Sequence, residues 1–165
     1  MEDPYIYFEL NNRKLKINRE DSEDIWIWSF PTKRKKQYWR PLAISTDIKG
    51  YKIIRVNNKQ YKHHRVVYYA HNQDWDITDN GKKNNLIDHI DHNKSNNHIS
   101  NLRVATKSQN NWNMSNVKGY YWNKERSKYQ AFIHYDNKIK YLGLFDTEEE
   151  ARQAHLDAKN IYHKW

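Results

Sequence analysis

The sequence predicts an α+β protein. Three observations carry that reading. Short runs rich in β-branched and aromatic residues fill positions 1–60. The apolar spacing switches to a helical period just after His63. The chain then closes on strands joined by a polar turn and followed by a helical stretch. Tight polar turns between strands, with helices segregated from them, give this class.

In the first region Tyr5-Ile-Tyr-Phe and Leu15-Lys-Ile read as strands. Ile25-Trp-Ile-Trp-Ser-Phe is a β-rich run that Pro31 ends, because proline cannot donate to a ladder. Trp26, Trp28 and Trp39 are assigned to the core of this region rather than to a base-stacking platform. Lys33-Arg34-Lys35-Lys36 reads as a solvated basic turn, with phosphate contact as the alternative. Gly50-Tyr-Lys-Ile-Ile-Arg-Val and Gln60-Tyr-Lys flank Asn57-Asn58, a hairpin with asparagine at its turn.

The second region, expected over 61–115, opens with His64-Arg-Val-Val-Tyr-Tyr-Ala-His71, where Val66, Val67, Tyr69 and Ala70 fit a short helix. Residues 72–85 are polar, with Gly81 at a turn. Leu86-Ile87 and Ile90 form a short strand, 91–100 a loop and Leu102-Arg-Val-Ala a second strand. Thr106 caps a helix over Lys107–Trp112. The order is strand, loop, strand, helix.

The third region, expected over 116–165, has strands at Tyr120-Tyr-Trp, Tyr129–Tyr135 and Ile139–Phe145, with Asp136-Asn137-Lys138 as a turn. Thr147 and Glu150 form a capping box. Ala151, Ala154, Ala158 and Ile161 follow as the stripe that packs a helix on a sheet. The prediction is a three-stranded antiparallel sheet backed by one helix.

Composition narrows the partners. Aromatics are 15% of the 165 residues, too many for a disordered chain. There is no Cys, hence no disulfide and no thiolate zinc site. No apolar run is long enough to span a bilayer and the start lacks an apolar leader, so an intracellular protein without a membrane partner is expected. The net charge of +9 is the footprint of a nucleic-acid binder. It is uneven: residues 116–145 carry six basic and two acidic side chains, and 146–165 carry three and five.

Four residues stand out for chemistry: Asp88, His89, Asn101 and Asn110. Asp88 offers a hard carboxylate oxygen and Asn110, on the helix, an amide oxygen. Two such ligands with water and a phosphate suit Mg²⁺. His89 accepts a proton near neutral pH. Strand alternation points it away from Asp88, so local geometry has to turn it toward the water. Asn101 is placed to hold the imidazole.

Asp88-His89, the loop with Asn96-Asn97, and Asn101-Leu-Arg-Val-Ala-Thr-Lys-Ser-Gln-Asn110 resemble the HNH endonuclease motif of phage and intron homing nucleases. The resemblance implies a ββα-metal core. It implies His89 as general base, Asp88 and Asn110 as ligands of one divalent metal, and Asn101 as the residue that orients the base. Asp88 and Asn110 stand where the letters H-N-H place histidines, and this variant favours Mg²⁺ or Mn²⁺ over zinc. A three-histidine zinc site from His89, His92 and His98 is the lesser alternative. The preceding hairpin and helix also look like the segment before HNH in such enzymes, so the resemblance covers about residues 50–113.

Lys118-Gly-Tyr-Tyr-Trp, Lys128-Tyr-Gln-Ala-Phe-Ile-His and Tyr141-Leu-Gly-Leu-Phe-Asp-Thr-Glu-Glu-Glu-Ala resemble the DNA-binding domain of plant ethylene-response factors. That family lays its sheet in the major groove, which implies double-stranded DNA as the partner. Alternation turns Ala131 and Ile133 toward the helix. Tyr121, Asn123, Phe132, His134 and Tyr141 then share the open face, with Lys124, Arg126 and Lys138 at its rim. The first strand carries Tyr121 and Asn123 in place of the family's arginines, so backbone anchoring is expected over base reading.

Together these imply a sequence-directed, homing-type DNA endonuclease. One site per chain implies one strand nicked per monomer, and a monomer is expected over a dimer. The rival readings are a non-catalytic DNA-binding regulator on a decayed nuclease core and a dimeric restriction endonuclease.

Overall fold

A computed structural model describes residues 2–29, 36–79, 85–113, 118–136 and 138–164. Pro31, the basic stretch Lys33–Lys35, Gly81 and Asn137 lie outside the described residues. The chain is α+β and divides into two compact units, Met1–Asn110 and Asn111–Trp165. The stretches expected over 1–60 and from 61 onward therefore share one unit.

The first unit begins with a four-stranded antiparallel sheet in sequential order: β1 (Tyr5–Leu10), β2 (Arg13–Asn18), β3 (Ile25–Ser29) and β4 (Tyr38–Pro41). Asn11 and Asn12 join β1 to β2 with φ of 50° and 59°. Two successive positive φ values match the twist of a tight hairpin, and asparagine tolerates them. A second sheet follows from β5 (Ile44–Thr46), β6 (Lys52–Val56) and β7 (Lys59–Lys62). Its Asn57-Asn58 turn has φ of 46° and 61°, as the sequence predicts. Helix α1 (His63–His71) comes next, then β8 (Leu86–His89) paired with β9 (Leu102–Ala105), then α2 (Lys107–Trp112).

One core runs through this unit. Phe8, Leu10, Leu15, Ile17, Ile25, Ile27, Ile54 and Val56 from the sheets meet Val66, Val67 and Ala70 of α1, and Ile87 and Leu102 of the β8–β9 hairpin. Helix α1 packs on β1, β6, β7, β8 and β9. Its flank holds the hairpin that carries Asp88 and His89.

Trp26, Trp28 and Trp39 are not part of that core, which corrects the sequence expectation. In β3 the alternation buries Ile25 and Ile27 and turns Trp26 and Trp28 to the opposite face, half-buried. Trp39 pairs with Trp28 in register, with ring centroids 5.0 Å apart. The Lys16 ammonium lies 3.8 Å from the Tyr5 centroid and close to the rings of Trp26 and Trp39. The indole N–H explains the choice of face: Trp26 donates to Asp24 and Trp28 to Gln37, partners that an apolar interior lacks.

The second unit is the sheet β10 (Tyr120–Asn123), β11 (Lys128–Tyr135) and β12 (Lys138–Phe145), backed by α3 (Glu148–Tyr162). Thr147 and Glu150 close the predicted capping box. Ala131 and Ile133 are fully enclosed against Ala151 and Ala158. The predicted stripe is wrong in one detail. Ile161 is 59% exposed, and the buried line runs through Ala151, His155 and Ala158. His155 is drawn inward by a partner: its Nδ1 pairs with the Phe132 carbonyl at 2.9 Å, beside the β-bulge between Ala131 and Phe132. Gly119 lies against that imidazole with φ of +70°.

Candidate active site

Strand β8 ends at His89. Its partner strand sets two faces: Asp88 pairs with Arg103 and His89 with Leu102. Alternation therefore separates Asp88 from His89, as predicted. On the first face Arg103 donates from Nε and Nη2 to Asp88 Oδ2, at 3.1 and 3.0 Å. On the second, His89 turns toward the start of α1. Its ring meets the His64 ring edge to face, centroids 4.9 Å apart, with the Tyr51 ring 6.3 Å away.

The imidazole has a buried side-chain partner at Nε2. His89 Nε2 lies 2.8 Å from Asn97 Oδ1, and Asn97 Nδ2 lies 2.9 Å from His63 Nδ1. All three residues are buried. An amide oxygen only accepts, so Nε2 carries the hydrogen. A neutral imidazole then keeps its basic lone pair on Nδ1.

Burial pushes His63 down to about 4 and His64 to about 3, the latter further opposed by the charge of His89 and neighbouring cations. Both rings are neutral in the folded protein near neutral pH. The Ser22 backbone beside His63 acts the other way and favours a proton on that ring.

Asn101, expected on the imidazole, is committed to the loop instead. Its Oδ1 accepts from the Asp91 N–H at 3.0 Å, and its Nδ2 donates to Asp91 Oδ1 and to the Asn96 carbonyl, both at 2.8 Å. Its own carbonyl accepts from the Ile90 N–H. Asn96 Nδ2 completes the brace on Asp91 Oδ2 at 2.7 Å, and these bonds hold the Asp91 carboxyl below its usual range, Asn96 contributing most. Asn101 thus closes the loop after His89, which delivers Asn97 to the ring.

Asn110 follows on α2. Thr106 and Gln109 form a reciprocal capping box there, Thr106 N–H to Gln109 Oε1 and Gln109 N–H to Thr106 Oγ1. Asn110 is half-buried, one turn past Thr106. The helix buries none of its residues, so β9 and the cap, not packing, deliver Asn110. Asp88 carries a carboxylate and Asn110 an amide oxygen, donor types whose chemistry suits a hard cation such as Mg²⁺ or Mn²⁺. Among the described residues no three His, Asp or Glu side chains gather into a metal cage, so the three-histidine zinc alternative is not formed. His98 pairs with Ser100 instead.

In the second unit the open face of the sheet is as alternation predicts. Tyr121, Phe132 and His134 form a row, with centroids 6.1 and 5.6 Å apart, and Tyr141 sits opposite Phe132. Lys124, Arg126 and Lys138 are exposed around it. Asn123 is used internally: its amide donates to Gln130 and accepts from the Arg126 N–H. Among the described residues no helix is long and apolar enough to cross a membrane.

Strand, loop, strand and capped helix, with an acidic residue and a histidine at the end of the first strand, define a ββα unit. Residues 61–112 match the HNH endonuclease family. Protein 3.8 of Escherichia phage T7 is 36% identical over 89 residues, 48% of this chain and 73% of that protein. A protein named as an uncharacterized HNH endonuclease of Acanthamoeba polyphaga mimivirus is 42% identical over 80 residues, 46% of this chain and 42% of that protein. No solved structure matches the chain. The chain belongs to the HNH endonuclease family.

The residues that sequence reading missed are Asn97, His63, His64 and Arg103. Asn97 sits in an Asn-Asn pair of a kind abundant in this chain, and His63-His64 opens a helix, so neither announces a site.

Proposed function

We propose that this HNH-family nuclease hydrolyses a phosphodiester of double-stranded DNA with Mg²⁺ or Mn²⁺, nicking one strand per monomer. The observation that carries the reading is the His89 imidazole at the end of β8, held at Nε2 by Asn97 with Asp88 one residue before it. His89 Nδ1 takes a proton from water. The water oxygen bonds to phosphorus, the bond to the 3′ oxygen breaks, and that oxygen leaves and is protonated by solvent. Asp88 and Asn110 supply the protein oxygens for the metal, which when bound neutralises charge on the phosphate and leaving oxygen.

Residues 111–165 are proposed as the duplex-binding part of a homing-type enzyme. An open face of Tyr121, Phe132, His134 and Tyr141 rimmed by Lys124, Arg126 and Lys138 supports backbone anchoring. Asn123 helps by shaping the turn that presents Lys124 and Arg126.

A supercoiled-plasmid assay tests the reading. Wild type with Mg²⁺ should give the open circle before the linear form. His89→Ala should bind the plasmid and leave it supercoiled. A variant that nicks at the wild-type rate would remove His89 from the chemistry.

A further inference from the structure

Asn97 is 2% exposed and its amide makes two side-chain bonds inside the protein, one to each of two histidines. A primary amide is asymmetric: one end accepts and the other donates. His63 Nδ1 faces the Nδ2 end. This ring is neutral, because burial disfavours its charge, so one of its nitrogens is a pure acceptor. In the tautomer with Nδ1 accepting from Asn97, turning the amide over would set its oxygen against a lone pair. Its oxygen is thereby directed at His89, which must answer with a hydrogen on Nε2.

We propose that Asn97 is the positioning residue for His89, and that His63 fixes the orientation of the Asn97 amide. The relay selects one tautomer of His89, with Nε2 protonated and Nδ1 bare. The inference rests on the reading of His89 as the base and adds what prepares it. It also moves to Asn97 the orienting role that the sequence assigns to Asn101, whose amide braces the loop instead.

The test is ¹⁵N NMR of the imidazoles in the full chain near neutral pH, the His89 signals being assigned from their loss in His89→Gln. Wild type should show a hydrogen on Nε2 and a bare Nδ1. Asn97→Ala should show both tautomers, with kcat for plasmid nicking lower by about 10- to 100-fold and KM within about twofold. His63→Phe keeps a ring but removes the acceptor for Asn97 Nδ2, and should give a smaller loss of kcat with the same mixing. Wild-type His89 protonated on Nδ1 would overturn the proposal, whether or not either variant folds. So would an Asn97→Ala protein with wild-type kcat. The first result would also take the proton-accepting role from Nδ1, but neither removes His89 as the base, which stands or falls on His89→Ala.

Discussion

Arg103 closes on Asp88 through two nitrogens that share one carboxylate oxygen. The pair spans the β8–β9 hairpin on the face opposite His89. It restrains the carboxylate proposed to bind the metal, and the partner is a rigid fork rather than a flexible ammonium.

Arg103→Met should therefore raise the Mg²⁺ concentration needed for half-maximal cleavage by about 10-fold. It should lower stability by about 1–3 kcal/mol, since Asp88 is buried. Arg103→Lys should recover part of the stability and less of the metal response. A metal titration superimposable on wild type would show that Arg103 does not align Asp88.

Asn101→Ala should loosen the loop rather than release the ring directly. The amide protons of Ile90 and Asp91 bond to Asn101, and their exchange should accelerate most. Protected amides at both positions in the variant would contradict the brace.

Stability should fall in acid for a specific reason. His63 and His64 titrate normally near 6.5 when unfolded and are pushed down to about 4 and about 3 when buried. The unfolded chain thus binds more protons below 6.5, and folding stability drops as pH falls. The contribution is complete above 6.5 and lost as pH passes through about 4 and then about 3. Urea midpoints across this range measure it, and His64→Phe should flatten part of the slope. Equal slopes for the two proteins would assign the acid sensitivity elsewhere.

DNA binding by the second unit should be largely electrostatic. Lys124→Ala and Arg126→Ala should each reduce the slope of log K against log salt by about 1. Tyr141→Ala should weaken binding at every salt concentration while leaving that slope alone. Unchanged slopes in both charge variants would place the duplex on another surface.

Gly119→Ala should destabilise the second unit by about 1–3 kcal/mol. Gly119 has a positive φ, and an added Cβ would lie 2.0 Å from His155 Nδ1. Chemical shifts of Ala131 and Ile133 should report the disturbance. A fully native spectrum with an unshifted melting point would count against this packing.

Local chemistry was readable in the sequence wherever the signal was local. The Asn57-Asn58 turn, the Thr106 and Thr147 caps, the β8–β9 hairpin and the face of β11 all depend on residues a few positions apart. Asn11-Asn12 carries the same signature as Asn57-Asn58 and makes the same kind of turn. Two choices needed the third dimension. Ile25 and Ile27 displaced Trp26 and Trp28 from the interior because indole nitrogens found Asp24 and Gln37 at the surface. His155 displaced Ile161 from the helix contact because a carbonyl beside the bulge was waiting for it. At the site, Asp88 and His89 were evident from the letters. Asn97 was not, since its role depends on the path of a loop and on a helix start 34 residues earlier.

The span matched to the nuclease family is not a portable cassette. It begins at residue 61, yet its first helix is roofed by β1 and β6, both of which come earlier in the chain. A fragment cut at that boundary would keep every proposed catalytic side chain and strip the shelter from α1. Its histidines, including the one that steadies Asn97, would then meet water, and the excised piece should be an unfolded peptide rather than a minimal enzyme.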